Sequence, residues 1–194
     1  MNISIVKYNA GNIRSVTFAL ERLGITPVLT DDPEQLRKAD KVIFPGVGEA
    51  SSTMRALSAT GLDTIIPTLE QPVLGICLGM QLMCTHSDEG NTRGLGIFAE
   101  RVERFPPGDL KVPHMGWNRL QDLRGPLFAG LDADSFVYFV HSYYVPQTDA
   151  TIAAAQYGKP FSAAMQRDNF YATQFHPEKS GPVGAKILEN FIKL

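Results

Sequence analysis

The sequence predicts an α/β fold: a central mixed, mainly parallel sheet with helices on both faces. Three observations carry that prediction. Short apolar runs alternate with helix-period stretches through the first half. The second half is rich in aromatic and β-branched residues, the signature of a strand meander. The final stretch returns to a helical period. A chain of 194 residues with 44% apolar residues and a formal charge of -2 suits one ordinary domain over residues 1–194.

Ile3 to Tyr8 reads as the first strand. Asn9 to Asn12 is a loop, with Asn12 placed to cap the next helix. Ile13, Val16, Leu20 and Leu23 share one face of that helix, and Gly24 ends it. Ile25 to Thr30 is the second strand. Asp31-Asp32-Pro33-Glu34 starts a short capped helix running to Ala39. Lys41 to Phe44 is the third strand, ending in Pro45-Gly46-Val47-Gly48. Helices follow over about 49–57 and 62–69. Pro72-Val73-Leu74 opens a buried strand that turns at Gly75-Ile76-Cys77-Leu78-Gly79 into another helix. Later extended segments are expected near 94–105, 112–120, 135–145, 151–157, 162–166 and 170–175. In the last helix Ala185, Leu188 and Ile192 line up on one face.

The composition excludes several classes. There is no basic block for nucleic acid and no apolar stretch long enough for a bilayer. The N-terminus lacks the features of a signal peptide, so a cytoplasmic protein is expected. Two cysteines make no disulfide framework and have no metal-ligand spacing; Cys84, between apolar residues, reads as core. No metal and no cofactor is expected.

Gly75-Ile76-Cys77-Leu78-Gly79 has the Gly-x-nucleophile-x-Gly pattern of a nucleophile elbow, with cysteine in place of serine. Its glycines allow the sharp turn. The following helix N-terminus favours a thiolate and offers N–H groups to an oxyanion. The bland alternative is a core cysteine between packing glycines. An activated cysteine needs a base, and His176-Pro177-Glu178 supplies one with a carboxylate to orient it. An extended backbone at the proline would project His176 and Glu178 to the same side. The Leu78 amide and the Pro45–Gly48 loop are candidate oxyanion donors. That loop also nearly matches Gly-x-Gly-x-x-Gly over Gly46–Ser51, but the third glycine is missing and the loop follows the third strand. Val112–Asn118, with the only tryptophan, and Tyr138–Tyr144 are either core strands or a partner-binding patch.

Together these residues resemble the class I (triad) glutamine amidotransferases, which are flavodoxin-like. Gly75–Gln81, Pro113-His114-Met115-Gly116-Trp117-Asn118, His141-Ser142-Tyr143 and His176-Pro177-Glu178-Lys179-Ser180 are similar to the glutaminase subunits of imidazole glycerol phosphate synthases. The resemblance spans essentially the whole chain. It implies a glutaminase in histidine biosynthesis, with Cys77 as nucleophile, His176 as proton shuttle and Glu178 orienting it. It implies glutamine held by Gly46, Val47, Leu78, Gln81, Ser142 and Tyr143. It also implies a heterodimer, with ammonia passed to a separate (β/α)8-barrel cyclase subunit. Asn12, Trp117, Tyr138 and Lys179 are then expected at the cyclase interface, and the Gly46–Val47 peptide is expected to align only when the partner is loaded. The rival readings are the glutaminase of another synthase, of pyridoxal phosphate or anthranilate type, a free-standing cysteine hydrolase or peptidase, and a catalytically silent binding module that retains the fold.

Overall fold

The computed structural model describes residues 1–8, 13–108 and 110–194. In chain order the elements are β1 (Ile3–Val6), α1 (Ile13–Arg22), β2 (Val28–Thr30), α2 (Pro33–Lys38), β3 (Lys41–Gly46), α3 (Ala50–Thr60), α4 (Leu62–Ile65), β4 (Val73–Cys77) and α5 (Leu78–Met83). Then come β5 (His86–Ser87), β6 (Thr92–Arg93), β7 (Arg101–Arg104), β8 (His114–Arg119), β9 (Phe136–His141), β10 (Tyr143–Tyr144), β11 (Thr151–Tyr157), β12 (Lys159–Arg167), β13 (Phe170–Thr173) and α6 (Gly181–Lys193).

A seven-stranded sheet runs in the order β11-β12-β13-β4-β3-β1-β2. From β13 to β2 every pairing is parallel, and β12 joins β13 antiparallel. The expected mixed, mainly parallel sheet is therefore present. Successive residues of its central strands feed different cores, as the pleat requires. Ile3 and Ile5, Ile43, and Leu74 and Ile76 pack with α1 and α6 on one face. Val6, Val42, Phe44 and Val73 pack with α2, α3, α4 and α5 on the other.

Two smaller sheets sit beside the large one. β8 and β9 form an antiparallel hairpin, and β10, β7, β5 and β6 form a four-stranded sheet. Short strands β5 and β6 had no sequence signal of their own. Other departures have local causes. Pro27 delays the second strand, so β2 begins only at Val28. Pro67 converts the end of the 62–69 helix into a 3₁₀ turn over Ile66–Thr68. In α6 the buried residues are Gly184, Ile187, Leu188, Asn190 and Phe191, and Ala185 faces outward. The face expected from Ala185 was one position off, because a buried glycine carries no hydropathy signal. Asn12 and the loop it was to cap lie outside the described residues. No helix among the described residues is long and apolar enough to cross a membrane.

Candidate active site

The carboxyl ends of three neighbouring parallel strands build one site, which is where open α/β sheets place their ligands. β4 ends at Cys77, directly beside Gly46 at the end of β3. β13 ends at Thr173, and His176 follows three residues on. Cys77 has φ 53 and ψ −106, a strained conformation for a residue with a side chain. That strain is the elbow: the backbone leaves β4 and enters α5 at once. Close packing makes it possible. A Cβ on Gly79 would stand 2.0 Å from the Phe44 carbonyl oxygen, so β3 crosses the start of α5 in direct backbone contact.

His176 is 1% exposed, and its Nδ1 lies 2.8 Å from Glu178 Oε1. The carboxylate can only accept, so Nδ1 carries the proton and Nε2 is left for the sulfur. The geometry behind this pair differs from the expectation. Residues Pro177–Lys179 form a 3₁₀ turn rather than an extended strand, and the turn brings the two side chains together. The turn is itself anchored. Ser180 Oγ donates to the His176 carbonyl at 2.6 Å and accepts the Tyr138 N–H at 3.0 Å, and the His176 N–H donates to the Tyr138 carbonyl at 3.0 Å.

In the resting arrangement the Cys77 thiol donates to the Val140 carbonyl at 3.8 Å, and His176 Nε2 makes no hydrogen bond among the described residues. Ionisation changes that picture. Burial pulls the imidazole pKa down, but the charge and hydrogen bonding of an ionised Cys77, followed by Glu178, outweigh it and raise it to about 10.

A cavity of about 320 Å³ opens over the sulfur, within the size range of small-ligand pockets. Val47, Leu78, Gln81, Ser142 and Tyr143 line it together with Cys77 and His176. Gly46 sits one layer behind, against a narrower space shared with His176 and Glu178. Sequence reasoning missed several residues here. Glu89 supplies a carboxylate to the wall of the cavity, and its pKa is raised by burial. Tyr8 is buried beneath the site and its hydroxyl donates to the Pro45 carbonyl, fixing the strand end that precedes Gly46. Gln174, fully buried, donates from Nε2 to Cys77 Sγ at 3.7 Å. These contacts span 39, 37 and 97 residues of chain, and no local pattern announces them.

The dinucleotide reading of the Gly46–Ser51 stretch fails on geometry. Glu49 caps α3, accepting from the Ser51 and Ser52 N–H groups at 3.0 and 2.8 Å. A carboxylate therefore occupies the place a pyrophosphate would need. The hydrogen bonds from Ser51 and then Ser52 hold its pKa down, at about 2.

Two of the other histidines, His114 and His141, form a neutral chain. His141 Nδ1 donates to the Tyr143 carbonyl at 2.8 Å, which leaves Nε2 to accept from His114 Nδ1 at 3.0 Å. His114 Nε2 then accepts from Asn118 Nδ2 at 3.3 Å. Burial depresses His114 to about 4 and His141 to about 3. Both are neutral in the fold and protonate near pH 6.5 when unfolded. Their stabilisation is thus complete above about pH 6.5 and drains away as pH falls towards 4, by an amount on the order of a few kcal/mol. A thermal midpoint that drops on acidification from pH 6.5 to 4 is expected, with a shallower slope in His114→Phe. Equal slopes in the two chains would remove the histidine pair as the cause.

The expected partner residues are dispersed in burial. Trp117 is 56% exposed and meets Tyr138 edge-on at 6.2 Å between ring centres. Tyr138 is half-buried and Lys179 is exposed. Met115 and Phe136 add exposed apolar area on the same hairpin. Alternate residues Val137, Phe139 and His141 are buried, so the core reading holds for one face of β9 and fails for Trp117.

Comparison with known proteins accords with this geometry. Residues 5–194 match the family model described as glutamine amidotransferase class-I. A protein of Bacteroides fragilis strain YCH46 named imidazole glycerol phosphate synthase subunit HisH is 60% identical, with both chains covered 100%. Its namesake in Pasteurella multocida is 48% identical over 99% of this chain and 98% of that one. Among solved structures, one described as a glutamine amidotransferase superposes with a TM-score of 0.76 at 18% identity, covering 98% of this chain and 97% of the other. PurLQS of Thermotoga maritima gives 0.73 at 16% identity, covering 99% and 97%. At those identities the structures speak for the fold alone. The family match and the full-length relatives settle the assignment: this chain belongs to the class I glutamine amidotransferases.

Proposed function

We propose that the chain, acting as one domain over residues 1–194, is the glutaminase subunit of an imidazole glycerol phosphate synthase in histidine biosynthesis. The observation that carries the chemistry is the convergence of Cys77 and the His176–Glu178 pair on a single cavity. The Cys77 sulfur attacks the side-chain amide carbon of glutamine while His176 Nε2 takes the thiol proton. The tetrahedral oxyanion is met by the Leu78 N–H at the start of α5 and by a peptide N–H of the Gly46–Val47 segment. His176 returns the proton to the leaving nitrogen, and ammonia departs. Water, deprotonated by His176, then cleaves the glutamyl thioester to glutamate and restores the thiol. Glu178 holds the imidazole tautomer throughout and stabilises its charged form.

The substrate is an amino acid, so its ammonium group needs an acceptor. Glu89 is the carboxylate on the cavity wall, and it is already oriented by the Ala50 N–H at 2.9 Å. Gln81, Ser142 and Tyr143 complete the glutamine site. Glu89→Gln is expected to raise KM for glutamine about 10- to 100-fold, with a smaller change in kcat, because a charge-assisted hydrogen bond is worth roughly 1.5–3 kcal/mol. Steady-state kinetics decide it, and an unchanged KM would take Glu89 out of the site.

Free ammonia is mostly protonated in neutral water and is then no nucleophile, so it should be delivered under cover. We place a cyclase partner, built as a (β/α)8 barrel, on the exposed β8–β9 hairpin, with Trp117, Tyr138 and Lys179 in the contact. The cytoplasm is the natural compartment. The Gly46–Val47 peptide completes the oxyanion site only when the partner holds its own substrate. Glutamine hydrolysis measured on the chain alone, with the cyclase, and with the cyclase plus its nucleotide substrate tests this reading. A low rate that rises sharply only in the last condition is expected, and Trp117→Ala should blunt that rise by weakening the complex. Full activity of the isolated chain would point to an independent hydrolase.

A further inference from the structure

Gln174 lies in a fully buried stretch, between Thr173 and Phe175, all at 0% exposure. A position chosen for packing alone would carry an apolar side chain there, since a buried amide costs stability unless it is hydrogen-bonded. This one is bonded, and its partners are functional groups. Its orientation follows from a backbone atom. The Tyr143 carbonyl can only accept, so the Gln81 atom facing it at 2.9 Å is the nitrogen Nε2. The same nitrogen meets Gln174 at 3.0 Å, so the Gln174 atom there is the oxygen. Only the Gln174 nitrogen remains for Cys77 Sγ, at 3.7 Å. The backbone is held as well, with the Gln174 N–H donating to the Ala163 carbonyl in β12 at 2.8 Å.

We propose that Gln174 is a positioning residue for the reaction: its side-chain nitrogen holds the Cys77 sulfur while its oxygen holds Gln81 in the glutamine cavity. The proposal rests on the reading of Cys77 as nucleophile. A donor aimed at sulfur favours the thiolate over the thiol, because only the charged form gains a strong acceptor. It also restricts where the sulfur sits relative to the cavity. The second link gives the arm of Gln81 a fixed direction, so one buried amide couples the attacking atom to the substrate site.

The two links separate by substitution. Gln174→Met removes both. Gln174→Glu keeps an oxygen for Gln81 and loses the donor to sulfur. Iodoacetamide alkylation of Cys77 in the full chain, followed by peptide mapping across a pH series, reads the first link. Its midpoint is expected to move up by about one pH unit or more in both variants. Glutamine kinetics in the assembled synthase read the second. KM should rise in Gln174→Met and stay near wild type in Gln174→Glu, while kcat falls about 10- to 100-fold in both. Unmoved alkylation midpoints in folded variants would overturn the proposal. If Gln174→Met does not fold, the isosteric Gln174→Glu decides alone. If neither folds, Gln174 serves folding only and the proposal falls. A Cys77→Ala chain that still hydrolyses glutamine would instead sink the nucleophile assignment, whatever Gln174 does.

Discussion

Replacing Cys77 with alanine is expected to abolish glutamine-dependent turnover, lowering it roughly 10⁵- to 10⁶-fold. The covalent route splits one difficult displacement into two easier ones, and no other group in the cavity can take over the first. His176 then has no thiol to deprotonate, and water would have to attack an unactivated amide. The loss is specific to one substrate. Ammonium salts added to the Cys77→Ala chain with the proposed cyclase partner should still support product formation, since the proposed function puts that chemistry on the other subunit. The fold should also survive, because alanine fits within the space of a cysteine that is 7% exposed. The comparison of glutamine- and ammonia-dependent rates in one preparation checks both statements. A variant that kept even a few per cent of the glutamine-dependent rate would rule out Cys77 as the nucleophile.

Gly79→Ala is expected to cost about 3 kcal/mol of stability or more, and to inactivate whatever folds. The added Cβ would fall 2.0 Å from the Phe44 carbonyl oxygen, a backbone atom with nowhere to retreat. β3 is hydrogen-bonded between β1 and β4, so relief requires moving a central strand. For a chain of this size a loss of that order lowers the thermal midpoint by about 6–12 °C. The surviving molecules would have β3 pushed away from α5, and with it Gly46 and Val47 away from the sulfur. Gly108→Ala, where an added Cβ meets nothing within 4 Å, is the control and should be nearly silent. Equal midpoints for the two variants would show that α5 can slide to make room.

What the sequence disclosed follows the range of each interaction. The elbow was legible because its geometry is local: a strained cysteine between two glycines is a single turn of chain. The His176–Glu178 pair was legible for the same reason, although the backbone between them curls where an extended path was expected. The parallel core showed through the alternation of apolar runs with capped helices such as α2, where Asp32 accepts the Glu34 N–H. Residues that meet only through tertiary folding stayed silent. Glu89 follows a strand of two residues, too short to carry a periodicity, and reaches the site only because the β5–β7 sheet packs there. Gln174 looked like one more strand residue, since its two partners come from β4 and α5. Trp117 was ambiguous for another reason: a tryptophan reads as core in composition, and only the pairing of β8 with β9 turned it outward.

Cys84 donates its S–H back to the Met80 carbonyl, is fully buried, and has its ionisation suppressed by burial. Cys77 is therefore the only sulfhydryl of this chain that an oxidant or electrophile can reach. There is no sacrificial thiol on the surface to absorb damage first, and no second sulfur placed to rescue a sulfenic acid as a disulfide. With Cys77 as the nucleophile, every thiol equivalent titrated on the folded chain is one active site counted, and every one lost to peroxide is one enzyme molecule silenced.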